Sequence, residues 1–181
     1  MSTTGQETSK ETGQPKTGNS SSSRAELLAA RIEEGAAFLA AFAEALSDAE
    51  WRAPVSATDH RSIGVVVHHV ATVYPIEIDL ARAIASGKTV TDVTWELVGQ
   101  LNAKHADEQA DVTKAATLEL LRTNSRGAAA AVRAFTDEQL DTAAAFSLSY
   151  GAPVTAQFVI EDHALRHSWH HLARIRMGLR R

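Results

Sequence analysis

The chain has 181 residues with 44% hydrophobic and 6% aromatic side chains, which suits one globular domain with a sizeable core. Its formal net charge of −4 argues against the basic surface that nucleic-acid-binding proteins usually carry. It has no cysteine, no run of about 18 consecutive apolar residues and no signal-peptide core, which argues against disulfides, a thiolate site and a membrane span, and predicts a cytoplasmic protein.

The beginning of the chain differs in composition from the rest. Residues 1–22 are rich in Ser, Thr, Gly, Gln and Lys and nearly lack apolar side chains, so burial cannot offset their chain entropy. We therefore predict a disordered polar tail over residues 1–22 and one folded domain over residues 23–181. Abundant alanine, with sparse glycine and proline, favours an all-α domain.

The folded domain is predicted to begin with a long helix. Ser23 and Glu26 have the spacing of a capping box, in which the serine caps a backbone amide and the glutamate reaches back. Apolar residues recur behind them at helical spacing and predict a helix that ends near Ala49. Residues 51–61 contain a proline and are predicted to form a loop.

A second helix is predicted from a cap at Ser62 to an end at Gly87. Its first half, residues 63–74, is rich in valine and by composition alone resembles a buried strand. The helical pattern continues through residues 77–85, and this length favours a helix. Pro75 removes one backbone hydrogen bond from this helix and is expected to kink it.

Three further helices are predicted, over residues 94–110, 117–135 and 153–177. The first of them covers the apolar residues Trp95, Leu97, Val98 and Leu101. The segment Thr136–Gln139 offers another capping box for a short turn of helix. Residues 142–152 are predicted to be a connection, after which Pro153 is expected to occupy the first position of the last helix.

The eight histidines form a group of four (His163, His167, His170 and His171), an adjacent pair (His68 and His69) and two isolated residues (His60 and His105). Residues four apart on a helix have Cβ atoms about 5–6 Å apart, so His167 and His171, or His163 and His167, can converge on one metal ion. A third ligand must come from another helix, for which His68 or His69 is the candidate. Three protein ligands leave coordination positions open, as in catalytic sites, and imidazoles suit Zn, Ni, Fe or Cu alike.

Two segments resemble the metal motifs of the DinB-like (DinB/YfiT) family. Residues 62–71 are similar to its first motif, a single histidine after an apolar helical start, and residues 167–175 are similar to its second motif, an HxxxH pair. The section from residue 101 to residue 140 also resembles the maleylpyruvate-isomerase-type branch. The likeness extends over roughly residues 24–181, with the motifs in the family's order.

The resemblance implies a four-helix bundle with a long crossover connection and a three-histidine site for a divalent metal ion. Carried over by position, the metal ligands are His69, His167 and His171. His69 is preferred to His68 because the family's ligand falls six residues after the isoleucine that matches Ile63. The resemblance then leaves His68, His163 and His170 as surface residues or as neighbours of the ligands.

Family members with known activities resemble transferases and isomerases that use a low-molecular-weight thiol, so a metal- and thiol-dependent enzyme with a small-molecule substrate is expected. Arg174 replaces a glutamine common in the family; with His170 it is a candidate for holding an anionic substrate, although a surface arginine is equally compatible.

One alternative is a metal-dependent hydrolase with Glu77, Glu161 or Asp162 as base, although each is more commonly a solvated helix residue. The other is a non-catalytic metal-binding or stress-response bundle, and a homodimer is open in every case.

Overall fold

The computed structural model describes Met1 and residues 22–180, so the predicted disorder of the tail falls almost entirely outside the described residues. The helices are α1 (Ser23–Glu44), α2 (Asp48–Arg52), α3 (Ile63–Ala85), α4 (Trp95–Glu108), α5 (Lys114–Arg133), α6 (Asp137–Asp141), α7 (Ala156–Val159) and α8 (Arg166–Gly178). The strands are β1 (Ala143–Ala145) and β2 (Pro153–Thr155). A 3₁₀ turn covers Ser147–Ser149, and a π-helical segment, Ile160–Leu165, joins α7 to α8.

Serine and threonine caps define where most of these helices begin. A side-chain oxygen accepts a hydrogen bond from the first turn at Ser22, Ser47, Ser62, Thr94, Thr113, Thr136 and Thr155. The predicted box at Thr136 is confirmed, with Gln139 as its partner. The predicted cap at Ser23 is wrong by one residue, because Ser22 accepts from the amide of Ala25 and Ser23 is already helical.

Four long helical segments form the bundle that the sequence predicts. They are α1, α3, α5 and the last segment, which consists of α7, the π-helical segment and α8. Both α1 and α3 pack against α5 and against the last segment. The connection over residues 86–113 contains α4, which packs on α3. The largest fully buried side chains in the bundle helices include those of Ile32, Leu39, Tyr74, Leu121, Ile160 and Ile175.

Helix α3 is the most apolar of the long helices α1, α3, α4, α5 and α8. It is long enough to cross a membrane, and an 18-residue window within it has a mean hydropathy of 1.3. However, 61% of that window is buried inside the bundle, and the helix carries two histidines and a buried glutamate. Burial on several sides explains the valine-rich composition, so we interpret α3 as the central helix of the core.

The first helix is shorter than the sequence predicted. It ends at Glu44 instead of near Ala49, because Ser47 and Glu50 form a capping box that starts α2. This short helix includes Trp51, so the predicted loop over residues 51–61 begins two residues too early. The indole of Trp51 is buried and anchors the turn between α1 and α3.

The connection before the last helix contains a small hairpin. Strands β1 and β2 pair antiparallel, with Ala144 opposite Val154. Pro153 therefore lies in a strand, and the prediction that it begins the last helix is wrong. Thr155 caps α7 instead, because its hydroxyl accepts a hydrogen bond from a backbone amide that the helix leaves without a partner.

Helix α4 lies outside the core of the bundle. Trp95 and Leu101 are 55% and 53% exposed, and no residue of α4 is buried, so the apolar residues of this helix do not belong to the core. The helix lies against the outside of α3, where it buries only a narrow face. The indole of Trp95 donates a hydrogen bond of 3.1 Å to the carbonyl of Leu148, which fixes the beginning of α4 to the hairpin loop.

Candidate metal centre

Three histidines from two helices converge near the centre of the bundle. His69 lies on α3, and His167 and His171 lie one turn apart on α8. Each of the three rings has a nitrogen atom that lies within 4.8 Å of a nitrogen atom of the other two rings. The Nε2 atoms of His69 and His167 are 3.2 Å apart. The structure thus brings together the three residues that the sequence predicted, while their binding of a metal stays a prediction.

The donor set fits a divalent metal ion. Metal–nitrogen bonds of about 2.0–2.1 Å in a tetrahedral site place two ligand nitrogens roughly 3.3 Å apart, close to the separation between His69 and His167. Burial and neighbouring histidines lower the pKa of His69 to about 3 and that of His171 to about 2, so both rings stay neutral at physiological pH. Neutral imidazole is the form that binds metals. Within the described part of the chain, His171 makes no hydrogen bond that would compete with an ion.

Glu77 on α3 fixes the orientation of one candidate ligand. Its Oε1 forms a hydrogen bond with Nδ1 of His167, which directs the other ring nitrogen towards His69. A carboxylate behind a histidine ligand is the usual means of fixing the tautomer and orientation of a metal-bound imidazole. Glu77 is 5% exposed, so its interpretation as a solvated residue is wrong. Glu161 is exposed and Asp162 pairs with an exposed arginine, so neither contacts the three histidines.

A buried polar contact locks α3 to α8 beside the site. The hydroxyl groups of Tyr74 and Ser168 are 2.6 Å apart, and both residues have 0% exposure. Burial raises the pKa of the Tyr74 phenol, which therefore stays protonated. Because Ser168 directly follows His167, this contact holds the backbone from which that ligand projects.

A second pair of histidines adjoins the three candidate ligands. Nδ1 of His68 and Nε2 of His105 are 2.9 Å apart, and the ring of His105 lies edge-on to that of His69 with centroids separated by 5.6 Å. Burial lowers the pKa of both His68 and His105, so the pair is neutral. His105, an isolated residue in the sequence, thus reaches the site because α4 packs on α3.

The remaining histidines of the HxxxH region lie around the cluster. The ring of His163 packs edge-on against Phe146, with centroids 5.6 Å apart, so the alternative pair of His163 and His167 does not form the cluster. His170 is exposed and touches the edge of the His171 ring.

Comparison with known proteins identifies the family and the fold of this chain. The sequence profile of the DinB superfamily matches residues 7–175. The chain belongs to the DinB superfamily. Its structure is similar to YfiT from Bacillus subtilis, described as "a probable metal-dependent hydrolase with an unusual four-helix bundle topology", with a TM-score of 0.70 and 20% identity over 93% of each chain. At this identity the likeness shows the fold alone. Comparison with curated proteins gave no match.

Two arginines approach the histidines of this DinB-superfamily protein from one side. Arg61 donates from Nε and Nη2 to the two carboxylate oxygens of Asp59, at 2.9 and 2.7 Å. Arg174, one turn after the last candidate ligand, donates to Oδ2 of the same aspartate at 3.0 Å. The Arg61 guanidinium is the main cause that lowers the pKa of Asp59 to about 2. Burial is the main cause that lowers the pKa of His69 and His105, and the nearby charge of Arg61 adds to it.

Proposed function

We propose that this DinB-superfamily protein is a metal-dependent enzyme in which His69, His167 and His171 hold one divalent ion. The observation that carries this proposal is the convergence of three neutral or carboxylate-bound imidazoles from two helices, with two Nε2 atoms 3.2 Å apart. A set of three histidines leaves coordination positions for a nucleophile and a substrate, as catalytic zinc sites do. A small-molecule substrate and a cytoplasmic location are further parts of this proposal, and a homodimer is compatible with it.

Hydrolysis is the first candidate reaction. A divalent ion in such a site lowers the pKa of a bound water molecule to about 7. The neutral pair of His68 and His105 lies beside the site and is able to accept a proton. Oε1 of Glu77 is bonded to His167, so this oxygen orients a candidate ligand instead of accepting that proton. The description of YfiT as a probable metal-dependent hydrolase supports this candidate.

Transfer or isomerisation with a low-molecular-weight thiol is the second candidate. The chain has no cysteine of its own, so any thiol chemistry requires a thiol cosubstrate. A metal ion stabilises a coordinated thiolate, the reactive form of a thiol. The resemblance to the maleylpyruvate-isomerase-type branch supports this candidate.

Matched histidine variants test the metal site. His69→Ala, His167→Ala and His171→Ala are each expected to abolish stoichiometric binding of Zn²⁺, Ni²⁺ or Co²⁺, measured by metal analysis after dialysis. The neighbouring variants His68→Ala and His170→Ala are the controls, and the metal content of both should stay near that of the wild type. Equal metal content in all five variants would rule out the site.

The Co²⁺-loaded protein separates the candidate reactions. If a thiol binds the ion, adding glutathione or another low-molecular-weight thiol gives a sulfur-to-cobalt charge-transfer band. If water is the nucleophile, this band is absent, and simple esters or amides are hydrolysed only by the metal-loaded protein. A protein that binds metal but gives neither result would be a metal-binding bundle without these activities.

A further inference from the structure

Three consecutive residues at the beginning of α8, from His167 to Trp169, are each held by another helix of the bundle. His167 forms its hydrogen bond with Glu77, and the hydroxyl of Ser168 lies 2.6 Å from that of Tyr74. Glu77 and Tyr74 both lie on α3, about one helical turn apart. Tyr74 and Ser168 are fully buried, so the two hydroxyl groups depend on each other for a hydrogen bond. The bond between them is a fixed link from α3 to α8.

The third of these residues, Trp169, packs against α1 at a glycine. A Cβ atom at Gly35 would lie 2.8 Å from Nε1 of the indole, which is too close, so this position of the ring requires glycine. The ring also packs on Phe38 of α1, with ring centroids 5.2 Å apart. Successive residues of a helix are turned by about 100°, so Ser168 and Trp169 hold α8 on two different sides. Together these contacts resist rotation of α8 about its own axis.

The rotation of α8 matters because this helix carries two of the three candidate metal ligands. His167 and His171 are four residues apart, which is about 40° around the helix, so both turn with it. The ends of side chains lie about 5–6 Å from a helix axis, so a rotation of about 20° would move them by roughly 2 Å. That displacement equals the length of a metal–nitrogen bond, about 2.0–2.1 Å. No side chain caps the beginning of α8, so its rotation relative to α3 depends on these lateral contacts.

We propose that Tyr74 is a positioning residue for the candidate metal site, acting through Ser168 to set the rotation at which the two histidines of α8 face His69. This inference rests on the proposed function. It gives a role in metal binding to a residue whose hydroxyl bonds to Ser168 and not to a candidate ligand. Because the contact is made within the protein, it holds the three histidines together before an ion binds.

The first measurement uses metal-free protein. The rings of His69 and His167 have centroids 5.0 Å apart, so their ring protons should give a nuclear Overhauser effect in the wild type. Tyr74→Phe removes the hydroxyl alone and should weaken this signal, because α8 is freed to rotate. Tyr150→Phe is the matched control, since it makes the same change at the other tyrosine of the chain, which is 93% exposed. A signal that is unchanged in Tyr74→Phe would overturn the proposal.

The second measurement separates positioning from a purely structural role. Tyr74→Phe should weaken Zn²⁺ binding about tenfold, measured by competition with a chromophoric chelator, as is typical for partners outside the ligand set. Adding Ser168→Ala removes the hydroxyl that Tyr74→Phe leaves unpaired, so the double variant should recover much of its stability towards urea. If Tyr74 positions the ligands, the Zn²⁺ affinity stays low in the double variant. If the affinity recovers together with the stability, the contact is only structural and the proposal is wrong.

The two proposals fail in different ways. If the wild type binds no Zn²⁺ but Tyr74→Phe still weakens the contact between the rings of His69 and His167, the metal-dependent function is wrong and Tyr74 still positions the histidines. If the wild type binds Zn²⁺ and Tyr74→Phe leaves both the ring contact and the affinity unchanged, the metal site stands and the role of Tyr74 is wrong. The double variant, which buries no unpaired hydroxyl at this contact, keeps the test decisive if Tyr74→Phe alone folds poorly.

Discussion

Asn124 on α5 donates a hydrogen bond of 2.8 Å from Nδ2 to the carbonyl oxygen of Ala71 on α3. In an uninterrupted helix the amide of residue 75 would donate to this carbonyl, but Pro75 has no amide hydrogen. The side chain of Asn124 therefore replaces the backbone donor that the proline removes, and it ties α5 to α3 two residues after His69.

Asn124→Ala should lower the free energy of unfolding by about 1–3 kcal/mol, because the carbonyl of Ala71 loses its donor in a partly buried position. Combining it with Pro75→Ala should recover part of the loss, since an alanine at position 75 restores the backbone bond. Urea denaturation of the single and double variants measures both effects. Thr123→Ala, at an exposed position of the same helix, is the control. The explanation fails if Pro75→Ala has the same effect with and without Asn124.

Glu77→Gln should weaken metal binding by about 10- to 100-fold while leaving the fold intact, because it replaces the carboxylate behind His167 by an amide of nearly equal size. Competition with a chromophoric chelator gives the affinity. Glu161→Gln is the control, because it makes the same change at an exposed position of the π-helical segment and should leave the metal affinity unchanged. If Glu77→Gln binds metal as tightly as the wild type, Glu77 does not position His167.

The stability of the protein should depend on pH through Asp59. Its pKa is about 2 in the folded protein and 3.8 ordinarily, so the ionised form is favoured by folding. The stabilisation is fully present above about pH 4 and is lost as the pH falls from about 4 to about 2. We expect Asp59→Asn to be less stable than the wild type by on the order of 1–2 kcal/mol at pH 7 and nearly equal to it near pH 2.

Denaturant titrations of the wild type and Asp59→Asn at a series of pH values measure this difference. Other carboxylates titrate in the same range, but they are common to both proteins and cancel in the comparison. A difference that stays constant from pH 7 to pH 2 would contradict the role assigned to the pair of arginines.

Gly64→Ala should destabilise the protein by about 1–3 kcal/mol through overpacking. A Cβ atom at this position would lie 2.5 Å from Cε2 of Trp51, whose indole also donates to the carbonyl of Val112. Tryptophan fluorescence should report the displaced ring. Gly127→Ala is the matched control, because apart from its own helical turn no described atom lies within 4 Å of its added Cβ. An alanine inside α5 should stabilise by about 0.5–1 kcal/mol.

The sequence predicted those features that depend on residues near one another in the chain. Helix α3 follows from a serine cap and an apolar pattern, and the spacing of His167 and His171 follows from helical geometry. Spacing alone did not choose between the adjacent histidines His68 and His69 of α3, and only the family motif favoured His69. In the structure His69, not His68, lies with the pair on α8.

Features that depend on how the helices dock could not be predicted in this way. Apolar residues at helical spacing predict helix α4 but not whether another element covers them, so the exposure of Trp95 could not be predicted. His105 reaches the site only because α4 packs on α3. Strand β1 consists of three alanines with low strand propensity, and tertiary contacts decide its conformation.

The sequence pattern around Glu77 indicates that this residue is buried, although the sequence analysis interpreted it as a solvated residue. Its helical neighbours Tyr74 and Ala81, three residues before and four residues after it, both have 0% exposure. A charged residue on the same stripe as two core residues must be paired or bonded, because burial of an isolated charge is very costly. That pattern was present in the sequence and indicates a partner, although it does not identify His167.

The π-helical segment at residues 160–165 sets the rotation of α8 relative to α7, so the histidine cluster depends on the number of residues in this segment. Each residue of a helix turns the chain by about 100°, so deletion of one residue there would rotate α8 relative to α7 by that angle. All three histidines would remain in the sequence, but the pair on α8 would no longer face His69. In an alignment of DinB-superfamily members, a single gap at this point would therefore mark a chain that keeps the motif and loses the site.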